Sequence, residues 1–168
     1  MTTTDREHIV ETTLLDKSKW RAGQHEPDRV EWRYRGVPCL LRRSPTSGAW
    51  CGYAATTEGH PWFGNVDLAE CNVDVHGGVT FASMCEGDIC HVPRPGEPDH
   101  VFWIGWDAGH AFDFSPKMEL ELRSVRPRLE SIGRLFHGTI YCDKARAMIE
   151  TEELAEQILA ARDARSRR

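Results

Sequence analysis

A chain of 168 residues, 40% hydrophobic and 28% charged, fits one domain whose core needs no disulfide or metal to hold it. No apolar run approaches the roughly 18 residues of a membrane span, and residues 1–8 lack the basic and apolar regions of a secretory signal, so a cytoplasmic protein without a membrane partner is expected. The net charge of −5 is unevenly spread: residues 56–115 hold ten acidic residues and five of the eight histidines against one basic residue, Arg94.

A concentration of carboxylates and imidazoles repels itself unless solvent or a bound cation offsets it. The same field repels phosphates, which disfavours direct, metal-free nucleic-acid binding despite the arginines at 33, 35, 42 and 43. No P-loop, dinucleotide fingerprint or internal repeat is present.

Residues 1–20 are polar with weak periodicity and are expected to be a flexible or short helical arm ahead of a single domain at 21–168. From Val30 the pattern turns to short strand-like runs at 30–34, 38–43 and 49–55. They are separated by Arg35-Gly36 and by Pro45-Thr46-Ser47-Gly48, which predicts an antiparallel meander. Runs at 79–84 and 101–106, rich in Val, Ile, Phe and Trp, add to the same sheet. Between 143 and 162, Met148, Ile149, Leu154, Ile158 and Leu159 approximate one helical face. A C-terminal helix packed on the sheet gives an α+β fold with long loops.

Three loops beside the strands carry the polar chemistry. Glu58-Gly59-His60-Pro61 follows the third run. Asp74-Val75-His76-Gly77-Gly78 precedes the fourth, its paired glycines allowing positive φ or close approach to a ligand. Asp107-Ala108-Gly109-His110-Ala111-Phe112-Asp113 follows the fifth with an Asp-x-x-His-x-x-Asp spacing. If the strand order brings these loops together, His60, His76, Asp107 and His110 are the expected ligands of a divalent transition metal, Zn²⁺, Mn²⁺ or Fe²⁺. Glu58 or Asp113 would then act as general base toward a metal-bound water. Gly77, Gly78, Cys90 and His91 are expected to shape the ligand loops.

The cysteines at 39, 51, 71, 85, 90 and 142 are expected to be reduced in the cytoplasm. Cys39 and Cys51, inside apolar runs, read as buried and inert. The C-x4-C-H spacing of Cys85, Cys90 and His91 is looser than a C-x2-C zinc knuckle, so packed thiols are the expectation there rather than a closed zinc site with Cys71. Residues 86–100, with Pro93, Pro95 and Pro98, form too broken a stretch for a regular element, and a loop of that length reads as a lid over the site.

The motifs EPDRVEW (26–32), GVPCL (36–40), WCGY (50–53), GHP (59–61), VHGGVT (75–80), ICHVP (89–93), PGEPD (95–99) and WIGWDAGHAFD (103–113) together resemble a family of small uncharacterised proteins of phages and bacterial genomes. The chain departs from that pattern at Trp106 and Ala108. The resemblance spans roughly residues 20–160 and implies a phage or prophage accessory protein in the host cytoplasm, without supplying an activity. Two functions are therefore expected. One is a metal-dependent, hydrolase-like centre acting on a small molecule. The other is a non-catalytic protein that binds a host protein or a small, nucleotide-like signalling ligand, as in counter-defence.

Overall fold

A computed structural model of the chain describes residues 5–125 and 134–167. Six strands form one antiparallel sheet: β1 (Arg6–Thr12), β2 (Arg29–Tyr34), β3 (Val37–Arg43), β4 (Trp50–Thr57), β5 (Phe81–Met84) and β6 (Val101–Asp107), in the order β1-β2-β3-β4-β6-β5. Among the described residues it is accompanied by helices α1 (Val66–Asn72), α2 (Pro116–Val125) and α3 (Lys144–Ser166). The fold is α+β, with the C-terminal helix packed on β3 and β4. No helix among the described residues is long and apolar enough to cross a membrane.

Turn chemistry explains the meander. Arg35 and Gly36 both have positive φ, 47° and 84°, as a two-residue type I′ hairpin requires, and this turn sets the register Tyr34↔Val37. Along β2, alternate residues Val30, Trp32 and Tyr34 are buried toward α3, while Arg29, Glu31 and Arg33 lie on the other face. β4 and β6 are buried on both faces. Leu40, Tyr53 and Trp103 make a second, smaller core on the face away from α3, under Ile89 of the 86–100 loop.

Helix α3 begins at Asp143, whose side chain accepts from the Arg146 N–H (2.8 Å), an N-cap of ordinary kind. Its buried stripe of Ala147, Met148, Thr151, Leu154, Ala155 and Ile158 follows the helical period. The closest approach to the sheet is at Gly52, where a Cβ would stand 2.2 Å from Thr151 Oγ1 and 2.5 Å from Trp106 Nε1. Two carboxylates fix the helix further. Glu152, fully buried, accepts from Arg6 (2.5 and 2.8 Å) and from Trp32 Nε1 (3.1 Å). Glu26 accepts from the Lys144 N–H (2.8 Å), Tyr141 (2.6 Å), Trp50 Nε1 (3.1 Å) and Arg43 (2.8 Å), while the Arg43 guanidinium stacks 3.8 Å over Trp50. Burial pushes the Glu26 carboxyl up, but these hydrogen bonds and the Arg43 charge outweigh it and hold it below the usual carboxylate range.

The expected N-terminal arm is instead an edge strand: Arg6–Thr12 pairs with β2 through a bulge between Glu7 and Val10, anchored by the Arg6–Glu152 ion pair. Residues 1–4 of that arm lie outside the described residues. α1 and α2 are additions to the expected elements, capped by Asn65 and begun by Pro116.

A Gly52→Ala substitution places a methyl inside van der Waals distance of Thr151 and Trp106. It should destabilise the protein by about 1–3 kcal/mol in denaturant unfolding, the usual cost of overpacking, whereas Gly59→Ala, with open space around it, should cost only what its positive φ imposes.

Candidate metal centre

Two loops meet at the end of β6 nearest the start of α3. The turn at 75–78 carries His76 into contact with the 108–115 loop, which carries His110 and Asp113. His76 Nε2–H donates to Asp113 Oδ2 at 2.8 Å, with Oδ1 at 3.0 Å. His110 Nδ1 stands 3.4 Å from the same Oδ2 and 3.9 Å from Asp107 Oδ1. One donor atom from each of His76, His110 and Asp113 lies within 4.8 Å of the others. The imidazoles meet edge to face, 5.5 Å between centroids, and His76 also packs 6.0 Å from Trp106.

Each member is positioned by the fold. The His76 N–H donates to Glu150 of α3 (2.6 Å), so the helix that covers the sheet also places the first imidazole. Asp113 Oδ2 accepts from the His110 N–H (3.0 Å), which orients the carboxylate toward both rings. The loop is pinned by Ala108 N–H to Trp50 O, Ile140 N–H to Phe112 O and Phe114 N–H to Ile140 O, each 2.9 Å. Gly77 is required twice over: its φ is +69°, and a Cβ there would lie 2.1 Å from His110 Cε1. Gly78, at φ +87°, has open space beside it and serves only the turn.

The donor set suits a divalent transition ion. Two donors each ~2.1 Å from a tetrahedral ion stand roughly 3.4 Å apart, which is the His110–Asp113 separation. The shorter His76–Asp113 pair would open by about half an ångström, exchanging a hydrogen bond for a shared cation. His110 Nδ1 is out of contact with solvent and makes no hydrogen bond, an unmet polar atom at the spot an ion would fill. The side chains of His76 and His110 are about one-third exposed and that of Asp113 is 9% exposed, so the group has a rigid carboxylate floor and an open side.

The other expected site residues go elsewhere. His60 is buried with both ring nitrogens engaged: Nε2–H donates to Ile158 O (2.9 Å) and Nδ1 accepts from the Trp62 N–H (3.0 Å). It fastens its loop to α3 and has no lone pair left for a metal. Glu58 is exposed and faces His100 (3.2 Å), remote from any base role at the cluster. Asp107 sits at the rim, accepting from the Gly109 N–H (2.9 Å), and Asp113 takes the central place that the spacing alone assigned to Asp107.

Cys90 and His91 belong to the other side of the sheet. The 86–100 loop is no lid over the cluster. It lies across the face opposite α3, held by Arg29 to the carbonyls of Asp88 (2.5 Å) and Cys90 (2.6 Å), by Arg42 to Asp88 (3.2 Å) and by Arg33 to Glu97 (2.6 Å). The expectation of six reduced cysteines is also corrected, since Cys85 and Cys90 are joined as a disulfide. A tight turn, Glu86 N–H to Ile89 O and Ile89 N–H to Glu86 O, brings their Cα atoms to 4.8 Å, inside the range a disulfide spans. Cys39, Cys51 and Cys142 are buried free thiols and Cys71 is exposed. Burial pushes Cys51 up to about 11 and Cys142 up to about 12, so neither is a ready nucleophile.

Burial, with Arg162 and Arg165 adding to it against the Ile158 hydrogen bond, holds the His60 imidazole below its ordinary value of 6.5. The folded state therefore takes up this proton less readily than the unfolded state, and stability should fall as pH drops below 6.5. His60→Gln, which keeps a donor for Ile158 and an acceptor for Trp62, should lack this component of the pH dependence in urea unfolding measured between pH 7 and 5.

Comparison with protein-family models, curated proteins and solved structures returned no match, so what can be said of this centre rests on its own geometry and chemistry.

Proposed function

We propose that the protein is a metal-dependent, hydrolase-like protein whose divalent transition ion, Zn²⁺, Mn²⁺ or Fe²⁺, is held by His76, His110 and Asp113. The observation that carries this reading is the unpartnered His110 Nδ1, turned toward the Asp113 carboxylate that His76 already grips. Held by these three residues, such an ion would have a position free for water and would supply a lowered water pKa and polarisation of a substrate bond. Asp107, beside His110 but outside the three-ligand group, would take the proton. The two aspartates thus exchange the roles that their spacing alone suggested.

A groove on the face away from α3, lined by Arg42, Ser47, Tyr53, Thr80 and Asp107, leads to this rim. Its polar lining suits a small phosphoester or amide substrate, with Arg42 as the cation for a substrate anion. The same groove supports a second reading, a non-catalytic protein that binds a small anionic ligand, in which the His/Asp cluster is only a polar rim. A phage or prophage accessory role in the host cytoplasm is compatible with both.

Metal content by elemental mass spectrometry, on untagged protein purified without chelator and reconstituted with each ion, separates the two. The wild type, with the Cys85–Cys90 disulfide kept intact, should retain close to one ion per chain. His110→Ala should lose it while the protein stays folded, its Tm without metal falling only by the packing that a partly buried surface ring contributes. Gly77→Ala, whose methyl takes the space of the His110 imidazole, should reproduce the loss without removing a ligand. A wild type that holds no metal after reconstitution, or a His110→Ala protein that holds as much, would overturn the metal reading in favour of ligand binding.

A further inference from the structure

We propose that Cys85, Cys90 and His91 form a second metal centre, open to a thiophilic divalent ion such as Zn²⁺ when the cysteines are reduced and shut when they are joined. The two sulfurs and a ring nitrogen of His91 lie within 4.8 Å of one another. His91 makes the case beyond proximity. Both of its ring nitrogens are out of contact with solvent and neither has a hydrogen-bond partner, while the ring packs edge-on to Trp103 at 5.7 Å. An imidazole needs at least one partner for its N–H and one for its lone pair, and the disulfide form supplies neither. A metal on the lone pair would supply one.

The hairpin is built to hold either cross-link. Its turn is closed by the two Glu86–Ile89 backbone hydrogen bonds, Ile89 is buried in the second core, and Arg29 grips the Asp88 and Cys90 carbonyls. Sulfurs bound at ~2.3 Å to one tetrahedral ion stand roughly 3.8 Å apart, a separation within reach of two Cβ atoms on Cα atoms 4.8 Å apart. Rotation of the two cysteine side chains is enough, with the backbone left in place. Among the described residues no fourth protein ligand joins the three, so water or a small molecule completes the sphere. This centre is separate from the His76–His110–Asp113 group and lies on the opposite face of the sheet.

Metal and disulfide exclude each other. When hydrogen peroxide oxidises the loaded form, the two thiolates give up two electrons and join as a disulfide. Both sulfur–metal bonds break, the peroxide O–O bond breaks as it takes up the two electrons, two protons from the buffer complete two molecules of water, and the ion is released. A dithiol such as dithiothreitol reverses the protein step: it becomes its own cyclic disulfide, and the two cysteine thiols lose their protons to solvent as the metal returns.

Anaerobic titration of reduced, full-length protein with Co²⁺ tests this, because a thiolate ligand gives a sulfur-to-cobalt charge-transfer band that a His/Asp centre cannot. The wild type should show the band, Zn²⁺ should displace it, hydrogen peroxide should abolish it with the Cys85–Cys90 linkage appearing in peptide mass spectra, and dithiothreitol should restore it. The band should persist in His76→Ala/His110→Ala protein, weaken in His91→Ala and vanish in Cys85→Ser/Cys90→Ser. A reduced wild type without the band, or a band that survives the double serine substitution and so arises from another thiol such as Cys71, would overturn the proposal and leave the reading of the His76 centre untouched.

Discussion

The seat of α3 on the sheet is the constraint from which the rest follows. The helix lies so close over β4 that only glycine fits at position 52, with Thr151 filling the space a side chain would take and the Trp106 indole donating to the Thr151 hydroxyl (3.3 Å). Close seating of this kind leaves little freedom in rotation or height, because a shift of either element produces a clash or a void. Glu150 immediately precedes Thr151, so the helix register set at Gly52 also determines where the His76 amide is held. The buried Glu152 one residue later ties the same turn of helix to Arg6 and Trp32. Such an ion pair is worth more for the uniqueness of the docking than for its net energy, since desolvation consumes much of its Coulombic gain.

The chain thus uses consecutive residues of one helix for three tasks: Glu150 for the polar cluster, Thr151 for close packing and Glu152 for the edge strand. Both faces of the sheet are occupied, but by different means. The α3 face is covered by a regular element and tightly filled. The other face is covered by an irregular loop fastened by arginines on β2 and β3, which leaves a groove beside it. Two of the ten acidic residues of 56–115 are placed against these cations from the flanking sequence: Asp88 faces Arg42 and Glu97 faces Arg33.

The strands were legible because their signals are local. Arg35-Gly36 and the Pro45–Gly48 stretch are turn chemistry, and the runs between them alternate or are wholly apolar according to whether one or both faces are covered. α3 was legible from its period. β1 was not, because nearly all of its residues are exposed and its main anchor, Glu152, lies far along the chain. α1 and α2 are short, and their signals, an Asn cap and an initial proline, look like loop features in isolation. The candidate cluster was legible in part. His76 with its two glycines and the His110–Asp113 spacing marked the two loops that meet there, but only three dimensions reveal which aspartate faces both rings. His60 has the same chemistry as His76 on paper and differs only in that the helix backbone has already taken its proton donor. The Cys85–Cys90 pairing was hidden because a separation of five residues says nothing about whether the intervening chain turns back on itself.

The position of β5 at the sheet edge has a kinetic consequence. The strand is only four residues long, pairs with β6 alone and is partly exposed throughout, whereas β6 is flanked on both sides and buried. Short edge elements open by local fluctuation far more often than the whole domain unfolds. His76 sits in the turn that leads into β5, while His110 and Asp113 extend from β6, so the two walls of the cluster belong to a partly exposed edge strand and to a buried interior one. Local opening of β5 would therefore loosen the His76 side of the cluster, against the hold of Glu150, before the side that carries His110 and Asp113.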